Sequence, residues 1–384
     1  MYKKALSSLT ILFFMMGFIT CLNDILVPYL KEIFDLTYGQ AALVQFCFFG
    51  AYGITSIPAS KLIEKFGYQK GMVTGFVVTA LGCLLFYPAV VFHTYNLFLF
   101  ALFILASGVV LLQVAANPYV SVIGPEETAS SRLTMVQAFN SFGTFLAPFF
   151  GSYFILSKLD VTTNAQGVIY PYLIIAATLV TIAVVLARMS LPAIQTSKKE
   201  SGTWSSVLKE PNLILGMIGI FTYVGAEVSI GSFLVNYVME LHPMAETQAA
   251  NLVAIYWGGA MAGRFLGILT LKHFSPGKVL SVHSILAIIL ILISINSRGD
   301  VAIYSMILVG FCNSIMFPTI FTLGIKGLDS SAQKASGLLA TAILGGAIIP
   351  LLTGQMADSV GLRMAFILPA LCYGYIAIFG LRSR

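Results

Sequence analysis

One feature recurs twelve times along the 384 residues: a run of about twenty mainly apolar residues, the length a helix needs to cross the roughly 30 Å hydrocarbon core of a bilayer. The runs lie near 9–30, 41–63, 71–92, 96–122, 132–156, 170–191, 212–238, 248–271, 279–296, 301–325, 335–357 and 362–381. Hydrocarbon offers no partner to a backbone N–H or C=O, so each run is predicted to be a helix. Twelve spans leave almost nothing for a soluble domain. Charged residues make up only 9% of the chain, against about 25% in ordinary soluble domains. The first run follows two lysines as a signal peptide would, but no small-residue cleavage site comes after it, and it is read as a retained helix.

Positively charged loops stay on the cytoplasmic side. With the amino terminus inside, sixteen Lys and Arg fall on inner segments and four (Lys31, Lys158, Arg298, Arg363) on outer ones, with Arg264 left inside a span. Both termini are therefore expected in the cytoplasm. The net charge of +6 is spread over short loops, with no basic, aromatic-interleaved surface to track a phosphate backbone, so no nucleic-acid partner is expected. Cys21, Cys47, Cys83, Cys312 and Cys372 all sit in spans without metal-ligand spacing and read as small packing residues.

The polar stretch from Ala193 to Glu210 divides the spans six and six, giving expected domains 1–191 and 212–384 with a cytoplasmic linker at 192–211. The halves echo one another. Pro118 and Gly124 match Pro318 and Gly324, Gly143 and Pro148 match Gly345 and Pro350, and Phe66 and Lys70 match Phe274 and Lys278, at offsets of 200, 202 and 208. Two parallel six-helix halves predict an all-α membrane protein of twelve transmembrane helices in two pseudo-symmetric bundles, the major facilitator fold, with a site near the midplane. The loop Ser60-Lys61-Leu62-Ile63-Glu64-Lys65-Phe66-Gly67-Tyr68-Gln69-Lys70 resembles the inner-loop signature of that superfamily, with Ser60 where its first Gly would stand.

Polar residues inside the spans are the candidate site. A carboxylate within a spanning helix costs about 2.5–3.5 kcal/mol, so it is kept mainly where it faces a wet cavity or a partner. Of fifteen acidic residues only Asp24 and Glu227 lie deep in spans, at nearly equivalent positions of the two halves. Both are candidates for binding a cation or hydrogen-bonding hydroxyls; a protonated packing acid, or one paired with Arg264, is the alternative. Gln113 and Asn117 share a helix face, as do Gln137 and Asn140. Asn313, and Tyr223 one turn before Glu227, join them as candidate substrate ligands, and the same amides would also serve to bond helix to helix. Asn117 precedes Pro118 and would be placed to repair the backbone there. Tyr256 and Trp257 offer ring faces on which the C–H side of a pyranose stacks, or simply pack. Gly259, Gly263 and Gly267 recur every four residues and read as close helix packing. His283 reads as a satisfied interior histidine.

The segments Leu22-Asn23-Asp24-Ile25-Leu26-Val27-Pro28, Ala115-Ala116-Asn117-Pro118, Gln137-Ala138-Phe139-Asn140-Ser141-Phe142-Gly143 and Phe317-Pro318-Thr319-Ile320-Phe321 resemble the fucose permease family of the major facilitator superfamily. Gly225-Ala226-Glu227-Val228-Ser229-Ile230-Gly231-Ser232-Phe233 is similar to its bacterial glucose/galactose transporter branch. The resemblance implies cation-coupled hexose uptake across a bacterial inner membrane, with Asp24, Gln137 and Asn140 matching residues tied to transport, and Asn23 beside Asp24 near the sugar. Fucose permeases carry a glutamate where this chain has Gln113, which cannot titrate; that departure favours Na⁺ slightly over H⁺ and makes Asp24 the expected metal ligand if Na⁺ couples. No cofactor beyond the coupling ion, no enzymatic activity and a monomer in the lipid bilayer are expected, since no nucleophile–base or metal constellation is present. An exporter of lipophilic, drug-like compounds is the competing reading, because fold does not fix substrate.

Overall fold

The computed structural model describes residues 6–7, 9–18, 21, 38–92, 94–150, 166–189, 191–192, 194 and 202–383. Among them the regular structure is helical. The helices are α1 (Leu9–Phe18), α2 (Tyr38–Phe66), α3 (Tyr68–Val91), α4 (Tyr95–Val122), α5 (Ala129–Phe150), α6 (Gln166–Arg188), α7 (Trp204–Val207) and α8 (Pro211–Leu241). They continue as α9 (Glu246–His273), α10 (Pro276–Asn296), α11 (Gly299–Asn313), α12 (Met316–Gly324), α13 (Ala332–Thr341), α14 (Gly345–Val360), α15 (Leu362–Ala365) and α16 (Ile367–Arg382). Nine stretches among the described residues are long and apolar enough to cross a membrane, and α1 and α6 add shorter apolar pieces. Together with α5 they occupy the twelve expected runs.

Three of those runs are not single helices. The tenth breaks between α11 and α12, the eleventh passes through a 3₁₀ turn at Ala342–Leu344, and the twelfth breaks at Phe366 between α15 and α16. The breaks in the tenth and twelfth runs fall just before prolines: Pro318 and Pro369 each stand third in the helix that follows. Proline has no N–H for the carbonyl four residues earlier, and its ring crowds that carbonyl. Pro58, Pro88, Pro118 and Pro350, by contrast, are carried inside continuous helices.

Residue contacts gather the chain into two compact units. The first comprises α1–α4, α5 from Phe139 onward, α6 and α13. Glycine lets α3 and α4 approach: a Cβ on Gly82 would fall 2.5 Å from the Leu105 nitrogen, and one on Gly108 would fall 2.4 Å from the Thr79 nitrogen. α13 docks against α2 and α4, where Lys334 Nζ meets Glu64 Oε1 at 2.8 Å and Ser336 Oγ donates to the Val114 carbonyl at 3.0 Å. A Cβ on Gly337 would already lie 2.6 Å from that of Ser60. The small residue at position 60, where the signature has glycine, is therefore under the same steric demand. α2 and α3 are joined by Gly67 alone, at φ +86° and ψ 165°, a conformation that only glycine adopts readily.

The second unit comprises Gly124–Ala138, α7–α12 and the chain from Ala342 onward. Here the glycine spacing on α9 acts as expected: Cβ atoms on Gly259, Gly263 and Gly267 would meet Phe311, Ser314 and Ile315 at 3.4, 2.5 and 2.2 Å. α9 thus lies directly along the break in the tenth run.

Candidate functional site

The densest buried polar cluster among the described residues lies within the second unit and is built from four helices. α8 presents Tyr223 and Glu227 four residues apart, and the Tyr223 hydroxyl donates to Glu227 Oε1 at 2.7 Å. The same hydroxyl lies 3.3 Å from the Asn313 carbonyl. Asn313, at the end of α11, donates through Nδ2 to the Tyr256 hydroxyl at 2.7 Å and accepts at Oδ1 from the Tyr373 hydroxyl of α16 at 2.6 Å. The Tyr256 hydroxyl in turn reaches the Glu227 backbone carbonyl at 3.5 Å. Tyr223, Tyr256, Tyr373 and Asn313 are buried, while Glu227 is only partly so.

Trp257 stands edge-on to Tyr256, ring centroids 5.1 Å apart at 82°. It is 46% exposed, and a Cβ on Gly231 would come 2.9 Å from the indole. Gly231 therefore admits the ring against α8. Arg264 of α9 donates through Nε to the Ser314 carbonyl at 3.1 Å, next to Asn313 in the chain. A carboxylate, three phenols and an amide surrounded by apolar helices make an array of donors and acceptors for hydroxyl groups, with a ring face beside it for an apolar surface.

Tyr223, Glu227, Tyr256, Trp257 and Asn313, each singled out separately from the sequence, are brought together here. Two members were not singled out as ligands. Tyr373 carries no motif, and Arg264 had read only as a counter-ion for an acid. Gln137 is buried on the part of α5 that belongs to this unit. In the first unit Gln113 Nε2 donates to the Tyr52 hydroxyl at 3.0 Å, and Asn117 is buried on the same helix. Asn140 Nδ2 donates to the Phe13 carbonyl of α1 at 2.9 Å, which is the helix-to-helix bond that its residue type also allowed. Asn23 and Asp24 lie outside the described residues. His283 is satisfied, as expected: its Nδ1 lies 3.0 Å from the Cys312 carbonyl, so that nitrogen carries the proton.

Membrane-crossing helices that enclose a half-buried acid among phenols and an amide define an integral membrane protein with a polar site inside its spans, the arrangement of a carrier. The chain belongs to the Major Facilitator Superfamily, which it matches over residues 8–343. It is 51% identical over 391 residues to a protein of Brucella abortus biovar 1 (strain 9-941) named as a glucose/galactose transporter, covering 99% of this chain and 94% of that one. An L-fucose-proton symporter of Escherichia coli K12 is 36% identical, covering 96% and 90% of the two chains. The crystal structure of a single-residue variant of the E. coli fucose:proton symporter FucP superposes with a TM-score of 0.92 at 33% identity, covering 100% of this chain and 99% of that one. These relatives are named as transporters, not enzymes.

Proposed function

We propose that the protein is a cation-coupled hexose symporter working by alternating access in a bacterial inner membrane. Both termini are cytoplasmic, and the halves 1–191 and 212–384 are joined by the linker 192–211. The observation that carries this reading is the Tyr223–Glu227–Asn313–Tyr256–Tyr373 cluster with Trp257 beside it. Its phenols, amide and carboxylate suit the hydroxyls of a sugar, and the exposed indole suits the C–H side of a pyranose. An exporter of lipophilic compounds would wall the same site with apolar and Met side chains. The names of the relatives support a hexose such as glucose, galactose or fucose. Gln113, Asn117, Gln137, Asn140 and Asn23 are further proposed sugar ligands, on the strength of their residue types and positions in the spans.

Coupling falls to Asp24, whose charge must be neutralised before the loaded carrier reorients. Either a proton or a bound cation does this, and the two diverge: Na⁺ coupling requires Na⁺ and changes little between mildly acidic and neutral pH, whereas proton coupling falls as pH rises and ignores Na⁺. Gln113 favours Na⁺, because it offers a carbonyl oxygen but no proton; the symporter relatives are named for the proton. Uptake of labelled D-glucose, D-galactose and L-fucose into proteoliposomes, with Na⁺ and pH gradients imposed separately, tests the reading. The wild type is expected to accumulate at least one sugar, and Asp24→Asn to lose accumulation while retaining sugar exchange. Full accumulation by Asp24→Asn refutes the assignment, and binding of lipophilic cations with no hexose binding refutes the function.

A further inference from the structure

Pro118 and Pro318 stand two hundred residues apart at equivalent positions of the internal repeat. Each deprives the carbonyl four residues earlier of its helical donor, and in hydrocarbon such a carbonyl must be satisfied by something else. Those carbonyls belong to Val114 and Ser314, and each receives a side chain from a helix distant in sequence. Ser336 Oγ reaches Val114 at 3.0 Å within the first unit, so the donor found there is Ser336 of α13. Arg264 Nε reaches Ser314 at 3.1 Å within the second. Of the two preceding carbonyls at the second break, Cys312 is capped by His283 at 3.0 Å, and that of Asn313 lies 3.3 Å from the Tyr223 hydroxyl, whose proton goes to Glu227. Donors from α9 and α10 therefore reach the carbonyls of Ser314 and Cys312, on either side of the residue whose amide orients Tyr256 and Tyr373.

We propose that Arg264 is a positioning residue for the sugar: it stands in for the N–H that Pro318 lacks, holds the break between α11 and α12, and thereby sets where Asn313 presents its two phenols. Bare carbonyls at a broken membrane helix are where carriers often coordinate a cation. Here a tethered guanidinium fills that place, so the coupling ion is not bound at this break. The inference rests on the sugar-site reading above, and one of its tests does not require a sugar.

The experiment is a double-variant cycle on purified, reconstituted protein with Arg264→Gln, Pro318→Ala and the pair, read in two ways. D-Galactose exchange is expected to show half-saturation raised about tenfold in Arg264→Gln, the loss of a modest charged hydrogen bond, with maximal exchange nearly unchanged. Hydrogen–deuterium exchange over residues 312–319 should rise in the same variant. Pro318→Ala supplies an amide that competes for the Ser314 carbonyl, so adding Arg264→Gln to it should cost much less than in the wild type. Equal losses in the two backgrounds overturn the proposal, as does unchanged amide exchange in Arg264→Gln. If Arg264→Gln fails to fold, Arg264→Lys, which keeps the charge and loses the Nε donor, takes its place in the same cycle. A wild type that binds none of D-glucose, D-galactose or L-fucose sinks the hexose reading alone, and amide exchange then decides the role of Arg264.

Discussion

Asn313 meets a different tyrosine with each of its polar groups beyond the backbone N–H: Tyr256 at Nδ2, Tyr373 at Oδ1 and Tyr223 at its carbonyl. Hydrogen bonds between membrane helices contribute about 0.6 kcal/mol on average, so this knot is a weak argument for stability. It is a stronger one for orientation. Tyr373→Phe is accordingly expected to lower the melting temperature in detergent by no more than a few degrees, yet to weaken sugar binding about tenfold, since a site polar group left unpaired costs about 1–3 kcal/mol. Equal sensitivity of folding and binding would place Tyr373 in the scaffold alone. Glu227 and Asn313 were legible in the sequence because an acid or an amide inside an apolar run stands out against its neighbours, and Tyr223 because it stands one turn before Glu227. Tyr373 was not, because a tyrosine in such a run is equally suited to packing or to the lipid interface, and no acid stands one turn away to single it out. Asn140 was marked by its residue type as well, and its Nδ2 donates to the α1 backbone.

At the scale of helices, the sequence located the spans closely and missed the breaks. Hydropathy records how apolar a segment is and is blind to which carbonyl lacks an N–H. Pro318 and Pro369 stand at breaks in their runs while Pro118 is carried inside a continuous helix, a difference that hydropathy does not record. Close crossings were legible where small residues repeated every four positions, as on α9, and hidden where one glycine acts alone. Gly310 is such a case, since a Cβ there would lie 2.2 Å from the Tyr256 carbonyl oxygen, an immovable backbone atom. Gly310→Ala is expected to destabilise by about 1–3 kcal/mol through overpacking, whereas Gly258→Ala, which meets nothing within 4 Å, should be tolerated. Thermal unfolding of the two variants side by side checks this, and equal melting temperatures would contradict it.

At the scale of the molecule, Lys334 shows what a charge tally leaves out. Its count among the inner cations says nothing of burial, yet its side chain is only 7% exposed and paired across 270 residues with Glu64, itself 35% exposed. Removing one partner of a fully buried pair costs about 3–5 kcal/mol. With Glu64 partly in water a smaller loss is expected for Glu64→Gln, on the order of 1 kcal/mol, and Glu64→Gln combined with Lys334→Met should recover most of it. A double variant no more stable than Glu64→Gln would show that the pair is not the reason.

The single-residue joint at Gly67 has a consequence for how the chain enters the bilayer. α2 carries Lys61, Glu64, Lys65 and an internal proline, and is a poor candidate to partition into lipid by itself. With one residue between them, neither α2 nor the uncharged stretch of α3 that follows Lys70 has the slack to cross without bringing the other's end to the same membrane face. The two are therefore expected to leave the insertion machinery as a single hairpin, the more apolar arm drawing in the more polar one.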